Sequence, residues 1–170
     1  MEKKTREDEN FSDLEALIEG INRPVNARTR YLYDNINLPA ALNYLAVSVV
    51  IHDWDILIKN YYLYRDTLDT GEWMFLPWDQ DLTFSRPGED DLNSHPLHGT
   101  ADHPAVYVEH DFSVYNHLID ALLTTPSIRE MYLRRVRTLM DEFIQAPDTP
   151  ADQLSFENRV DQIAADLAPD

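Results

Sequence analysis

The chain has 170 residues, enough for one domain with a single hydrophobic core, and it lacks cysteine, so disulfides and thiolate metal sites are excluded. Apolar residues make up 44% and aromatic residues 11%, which excludes the disordered and collagen-like classes. A formal charge of −17 disfavours nucleic acid as a partner, and neither a membrane span nor a signal peptide is expected from the apolar runs or the charged start.

Two helices are predicted in the first 50 residues. Ser12 and Glu15 have the spacing of a capping box, and the apolar residues that follow predict a short amphipathic helix over 13–21 that Pro24 stops. A longer helix is predicted to open near Asn37 and to run to residue 50, with proline in its first turn. It is apolar on more than one face, so we expect it to be buried.

A β-hairpin is predicted next, from the tyrosine-rich run 61–64, a stretch of turn residues and the run 73–76. Residues 85–111 contain proline, glycine, histidine and aspartate without periodicity, which predicts a long loop. The remainder is predicted to be helical: a helix capped by Ser113, another restarted by Ser127 after Pro126, and a weaker helix over 156–167.

These elements predict a mainly α domain (α+β) with one short hairpin. We expect a flexible charged tail over 1–10, a helical domain over 11–146, and a linker with a C-terminal helix over 147–170. The sequence contains no internal repeat.

Acidic side chains cluster around the hairpin. Four aspartates and one asparagine flank its two strands: Asp53, Asp55, Asn60, Asp79 and Asp81. Because a hairpin returns its second strand beside its first, Asn60 and Asp79 should lie close together at its open end. Carboxylate and amide oxygens suit Mg²⁺ bound to substrate phosphates, whereas zinc prefers histidine or cysteine.

The order of these residues is also that of a protein-kinase catalytic loop. In kinases an aspartate that accepts a hydroxyl proton is followed by an asparagine and, after a hairpin, by an aspartate, and the last two hold metal. Asp55 and Asn60 have the catalytic-loop spacing, and Asp79 follows the hairpin.

Four runs carry a resemblance to a known family: Asn43-Tyr44-Leu45-Ala46, Asp55 to Asn60, Tyr61-Tyr62-Leu63-Tyr64-Arg65-Asp66 and Phe75 to Phe84. Over about residues 14–144 the chain resembles the CotH (spore-coat protein H) kinase family. The resemblance implies an atypical protein-kinase-like fold that transfers phosphate from ATP to Ser or Thr of a protein acceptor. It also implies a secreted, cell-surface or spore-coat location, which the composition alone leaves open.

Site residues follow from the resemblance by position. Asp55 would be the catalytic aspartate, Asn60 and Asp79 would bind the nucleotide through Mg²⁺ or Mn²⁺, and Asp81 would be a second acidic partner of the metal. The chain departs from kinases in having only Lys3, Lys4 and Lys59 and four scattered glycines, so the N-terminal Gly-rich loop and its lysine are missing. We therefore expect a C-terminal lobe alone, from either a fragment or a degenerate homologue.

Several alternatives stand beside the kinase interpretation. Aspartate and asparagine beside a hairpin also serve as turn and capping residues. Trp54 and Trp78 could line a pocket, but we expect them in the core, and Asp53 could cap the strand or face solvent. The domain could also be a non-catalytic helical binding module or a pseudokinase remnant.

A second candidate site lies in the predicted loop. It consists of the loop histidines and one aspartate, namely His95, His98, Asp102, His103 and His110, which could bind zinc and activate water as in a metal hydrolase. Their spacing matches no helix-borne motif, so surface histidines are the favoured interpretation. Arg134, Arg135 and Arg137 are expected on a solvated helix face.

Overall fold

The computed structural model describes residues 4–53, 56, 60–84 and 116–168. Within those ranges the chain forms six α-helices and one two-stranded sheet, which confirms the predicted mainly α fold with a short hairpin. The helices are α1 (Ser12–Ile21), α2 (Val25–Asn35), α3 (Leu38–Val50), α4 (His117–Leu123), α5 (Pro126–Phe143) and α6 (Ser155–Leu167). The strands are β1 (Tyr61–Arg65) and β2 (Trp73–Pro77), and a 3₁₀ turn, Ala151–Gln153, precedes α6.

Helix α1 confirms the predicted span, but the predicted capping box is wrong. Ser12 already lies inside the helix. The N-cap residue of α1 is Phe11, and its side chain makes no capping hydrogen bond. The Asn10 side chain instead accepts a hydrogen bond from the Ser12 N–H at 3.1 Å. Gly20 is needed for packing against α2, because a Cβ there would lie 2.2 Å from the Tyr31 ring.

Helix α2 is an element that the sequence patterns did not predict. Pro24 is its N-cap residue, so this proline precedes a new helix as well as ending the previous one. Only Leu32 is buried in α2, and a helix with so little apolar surface gives a weak periodic signal.

Helix α3 is the centre of the fold. The Asn37 side chain caps it by accepting a hydrogen bond from the Ala40 N–H at 3.0 Å, as the sequence predicted for a start near Asn37. Most of its side chains are buried, including Leu42 and Leu45, and it packs against α5 on one side and β2 on another. The expectation of a buried helix is confirmed.

The hairpin lies against α3 with a fixed register. The strands are antiparallel, with Tyr61 opposite Pro77 and Arg65 opposite Trp73. The start of β2 is joined to the start of α3, because the Trp73 carbonyl accepts a hydrogen bond from the Asn37 N–H at 2.9 Å. Phe75 and Trp73 face the core, so the open end of the hairpin is held close to the C-terminal end of α3.

The second half is helical as predicted, with different starts. Helix α4 begins after Asn116, whose side chain accepts from the Ile119 N–H at 3.0 Å. Ser113, the predicted cap, lies outside the described residues. Helix α5 begins at Pro126 itself, so Ser127 does not restart it. Helix α6 agrees with the predicted weak helix to within one residue.

Several sequence predictions fall outside the described ranges. They concern the long loop over 85–111, its five candidate zinc ligands, Trp54 and Asp55. The proposed domain boundaries remain predictions. None of the helices in the described ranges is both long and apolar enough to cross a lipid bilayer.

Candidate active site at the open end of the hairpin

The C-terminal end of α3 determines where the site begins. His52 adopts the left-handed conformation with φ 56°, and its N–H donates to the Val49 carbonyl at 3.1 Å. The next N–H, that of Asp53, donates to the Ser48 carbonyl at 2.8 Å. These two bonds form a Schellman motif, which ends the helix and fixes the direction of the following chain.

Asp53 itself is fully buried by this turn, with 0% of its surface exposed. The alternative that it faces solvent was wrong, and the alternative that it caps the strand stays a prediction. Burial of a carboxylate is costly, so its placement depends on the polar groups that surround it. One neighbour is Tyr44, whose pKa is raised first by burial and then by the negative charge of Asp53.

Asn60 and Asp79 meet at the open end of the hairpin. The Asn60 Nδ2 donates a hydrogen bond to the Asp79 carbonyl at 2.7 Å. Both residues are left-handed, with φ 66° and 53°, a conformation that asparagine and aspartate tolerate better than most side chains. The predicted proximity of these two residues is therefore present.

Two further hydrogen bonds converge on the Asn60 carbonyl. The Trp78 N–H donates to it at 2.8 Å, and the Gln80 side-chain Nε2 donates to it at 3.0 Å. The same Gln80 nitrogen also lies 2.9 Å from the Trp78 carbonyl. The chain before β1 and the chain after β2 are therefore tied together at the position where Asp79 leaves the sheet.

The segment that follows returns to α3. The Phe84 N–H donates to the Ile51 carbonyl at 2.8 Å, next to the helix end. Residues 79–84 therefore form a short arch between the hairpin and the C-terminal end of α3. Asp79 and Asp81 are exposed on this arch, whereas Asn60 is buried beneath it with 8% of its surface exposed.

The donor set at the arch fits a hard cation in kind. Asn60 carries an amide oxygen, and Asp79 and Asp81 carry exposed carboxylates. Among the described residues no three His, Asp or Glu side chains lie close enough to form a metal site by themselves. A cation here would need further oxygens from phosphate and water, as Mg²⁺ commonly takes.

Aromatic side chains support the hairpin from below. The Phe75 ring stacks on Tyr44 with centroids 5.2 Å apart and meets the Tyr61 ring edge-on at 5.0 Å. The Tyr61 hydroxyl accepts a hydrogen bond from the Asn116 Nδ2 at 2.7 Å. Burial raises the pKa of Tyr61, and the bond from Asn116 lowers it in part.

Sequence reasoning did not assign roles to Gln80 or Asn116. Gln80 lies inside the Pro77-to-Asp81 run, and only the backbone course of the arch reveals its double hydrogen bond. Asn116 joins α4 to β1 over 55 residues of sequence, so no local pattern could identify it. A groove of about 320 Å³ beside Gln80, also lined by Tyr44 and Ser48, was likewise not foreseen.

The prediction that Trp78 lies in the core was wrong. Its side chain is 61% exposed, and its ring meets Tyr62 edge-on with centroids 5.9 Å apart. The strand alternation explains this, because the Trp78 ring lies against Tyr62, and Tyr62 and Tyr64 are on the exposed face of β1. The buried tryptophan of the hairpin is Trp73.

The arginines of α5 agree with a solvated helix face. Arg134 pairs with Glu130, and Arg137 pairs with Asp141 at 2.9 Å, both one turn apart. Such exposed pairs contribute little to stability. Arg135 is half-buried, and its Nε donates to the Asn43 Oδ1.

Comparison with known protein families shows which family the chain belongs to. The family model described as CotH kinase protein matches residues 1–169. The chain belongs to the CotH kinase family. This match extends the sequence resemblance from about residues 14–144 to essentially the whole chain. Neither the curated proteins nor the solved structures contain a match. In this CotH kinase chain Asn60, Asp79 and Asp81 lie within the described residues, and Asp55 does not.

Proposed function

We propose that this chain carries the catalytic residues of an ATP-dependent kinase that phosphorylates Ser or Thr of a protein acceptor. Membership of the CotH kinase family supports the kinase class. The observation that carries the site assignment is the 2.7 Å hydrogen bond between Asn60 and Asp79, because it brings together two residues 19 positions apart that the kinase order requires side by side.

The proposed roles follow the chemistry of each group. Asp55 orients the acceptor hydroxyl and accepts its proton. Asn60 Oδ1 and the Asp79 carboxylate hold Mg²⁺ or Mn²⁺, with Asp81 as a second acidic partner. The bound cation neutralises charge on the phosphates of ATP, which is the main electrostatic requirement of phosphoryl transfer.

In the proposed step the acceptor oxygen forms a bond to the γ-phosphorus as the bond from that phosphorus to the β,γ-bridging oxygen breaks. ADP leaves with the electron pair, and the hydroxyl proton passes to the Asp55 carboxylate. The contribution of the arch is rigidity. Gln80 and Trp78 fix the Asn60 backbone, and the Asn60 amide holds the Asp79 backbone, which supports a site whose ligand residues are close together before substrate binds.

The partners of this proposal are ATP and a protein with accessible Ser or Thr. The strongly negative charge of the chain disfavours nucleic acid. By family resemblance the protein would act at a secreted, cell-surface or spore-coat location.

Phosphate transfer from radiolabelled ATP to a Ser-rich acceptor tests the proposal. We expect the 170-residue chain alone to transfer phosphate poorly, because its sequence has no Gly-rich loop with a phosphate-binding lysine. Within a longer protein that supplies those groups, Asp55→Ala and Asp79→Ala should abolish turnover. Asp69→Asn, which removes an exposed charge from the hairpin turn, is the matched control and should leave activity intact.

Each alternative has its own outcome in this assay. Full activity in Asp55→Ala and Asp79→Ala would refute the kinase site. Absence of transfer in every context, with acceptor binding retained, would indicate the non-catalytic binding module. Zinc-dependent hydrolysis without phosphate transfer would point to the histidine loop instead.

A further inference from the structure

Helix α6 is the one α-helix in the described ranges with no buried side chain. Its start is held in place, because the Ser155 N–H donates to Gln145 Oε1 at 3.1 Å and Gln145 Nε2 donates back to Ser155 Oγ at 2.9 Å. Helix α6 is therefore fixed at one end, and the side chains along its length are accessible to solvent.

That surface is an apolar stripe. Its members follow the alternating spacing of four and three residues that is typical of two-stranded coiled coils: Phe156, Val160, Ile163 and Leu167. At 100° per residue they fall within about 60° of arc. They are exposed by 36%, 50%, 42% and 77%, so the stripe is open to solvent.

The charges beside the stripe indicate what would cover it. On one flank lie Arg159 and Asp166, and on the other lie Glu157 and Ala164. When two such helices pair antiparallel, like flanks face each other, so Arg159 of each helix lies opposite Asp166 of the other. In a parallel pair Arg159 would face Ala164 and form no ion pair. The stripe is thus complementary to itself in one orientation.

The apolar layers are consistent with that orientation. An antiparallel pair places Val160 against Ile163 at its centre and Phe156 against Leu167 at its two ends. The centroids of the Phe84 and Phe156 rings are 5.4 Å apart. Each end layer therefore has an aromatic pair that can pack against Leu167, the most exposed residue of the stripe. Glu157 then faces Ala164, and no like charges meet.

We propose that α6 is an interaction surface for a second copy of this chain, which it binds through antiparallel pairing of the two α6 helices. The helix is only about 20 Å long, so the dimer is weak and its formation depends on protein concentration. The chain charge of −17 opposes association, and at 0.15 M salt a screening length of about 8 Å limits that repulsion. The inference is independent of the proposed kinase activity.

Sedimentation equilibrium of the full chain between about 5 µM and 1 mM in 0.15 M salt tests this proposal. The wild-type chain should show a monomer–dimer equilibrium. Ile163→Asp places a carboxylate in the central layer and should leave only monomer. Because no α6 side chain is buried, circular dichroism and thermal unfolding of this variant should match those of the wild type.

Charge reversal distinguishes the antiparallel pair from other arrangements. Arg159→Asp and Asp166→Arg should each weaken dimerisation by roughly tenfold, because each replaces two symmetric ion pairs with like charges. The double variant should return the dissociation constant to within about threefold of wild type. Asp161→Arg changes the net charge as Asp166→Arg does, but on the opposite face, and should not weaken the dimer.

Three results would overturn the proposal. They are a monomer at every concentration, a dimer that Ile163→Asp leaves intact, and a double variant that stays as weak as the single reversals.

Discussion

Asn60 offers the sharpest test of how the arch is built, because its backbone and its side chain contribute separately. Its φ of 66° lies in the left-handed region, which costs most side chains about 1 kcal/mol but costs glycine nothing. Its Nδ2 donates the 2.7 Å bond to the Asp79 carbonyl, and a hydrogen bond of this kind stabilises by about 1 kcal/mol.

Two substitutions separate these contributions. Asn60→Gly loses the side-chain bond but keeps a relaxed backbone, so it should lower the free energy of unfolding by about 1 kcal/mol. Asn60→Ala loses the same bond and adds left-handed strain, because alanine tolerates this conformation less well than asparagine does, so the loss should be about 2 kcal/mol. For a chain of this length each kcal/mol corresponds to about 2–4 °C in Tm.

Urea unfolding, followed by tryptophan fluorescence, measures both values, since Trp73 is buried in the hairpin. Asn26→Ala, on the exposed surface of α2, is a matched loss of an asparagine side chain away from the arch. The reasoning would be refuted if Asn60→Gly were as unstable as Asn60→Ala, or if neither differed from wild type by more than about 0.5 kcal/mol.

Three further predictions concern the scaffold. Asn37→Ala removes the cap that accepts from the Ala40 N–H and should lower the free energy of unfolding by about 1 kcal/mol, measured by urea unfolding. Tyr61→Phe leaves the buried Asn116 amide without its hydroxyl acceptor and should cost about 1–2 kcal/mol in the same assay. Burial raises the pKa of Tyr44 above the ordinary value of 10.0, so the folded chain keeps a proton that the unfolded chain loses, and stability should fall as pH rises above 10. Unfolding from pH 8 to 11 should show a smaller fall in Tyr44→Phe, and an equal fall would show that Tyr44 is not the source.

The parts of the fold that sequence could predict are those with strong local signals. Asn37 followed by proline marks the start of α3, and alternating aromatic residues around a turn mark the hairpin. Helix α2 was missed because its one buried residue, Leu32, creates no periodic stripe. Its N-cap, Pro24, was interpreted only as the end of α1.

The candidate site divides in the same way. Hairpin geometry was sufficient to predict that Asn60 and Asp79 meet, since strand pairing determines the distance between the two ends. Burial of Asp53 and exposure of Trp78 depend on the Schellman turn after α3 and on which face of the hairpin meets that helix. Both are tertiary properties, and composition favours the opposite outcome for an aspartate and a tryptophan.

Helix α6 shows a third case, in which the sequence predicts an element correctly but not its surroundings. Its apolar residues at helical spacing are what a packed helix would have, yet the structure leaves them exposed. Apolar residues at helical spacing identify the face of a helix that packs against another surface. Only the packing in the structure shows whether that surface belongs to the same chain.

Cation binding at the arch tests the central claim most directly. Mn²⁺ is titrated into the 170-residue chain with ADP present, and binding is followed by the relaxation of water protons. Weak binding is expected in the wild type and in Asp69→Asn, and loss of binding is expected in Asp79→Asn, because that variant removes a carboxylate ligand. An unchanged signal in Asp79→Asn would contradict the assignment of the cation to Asn60 and Asp79.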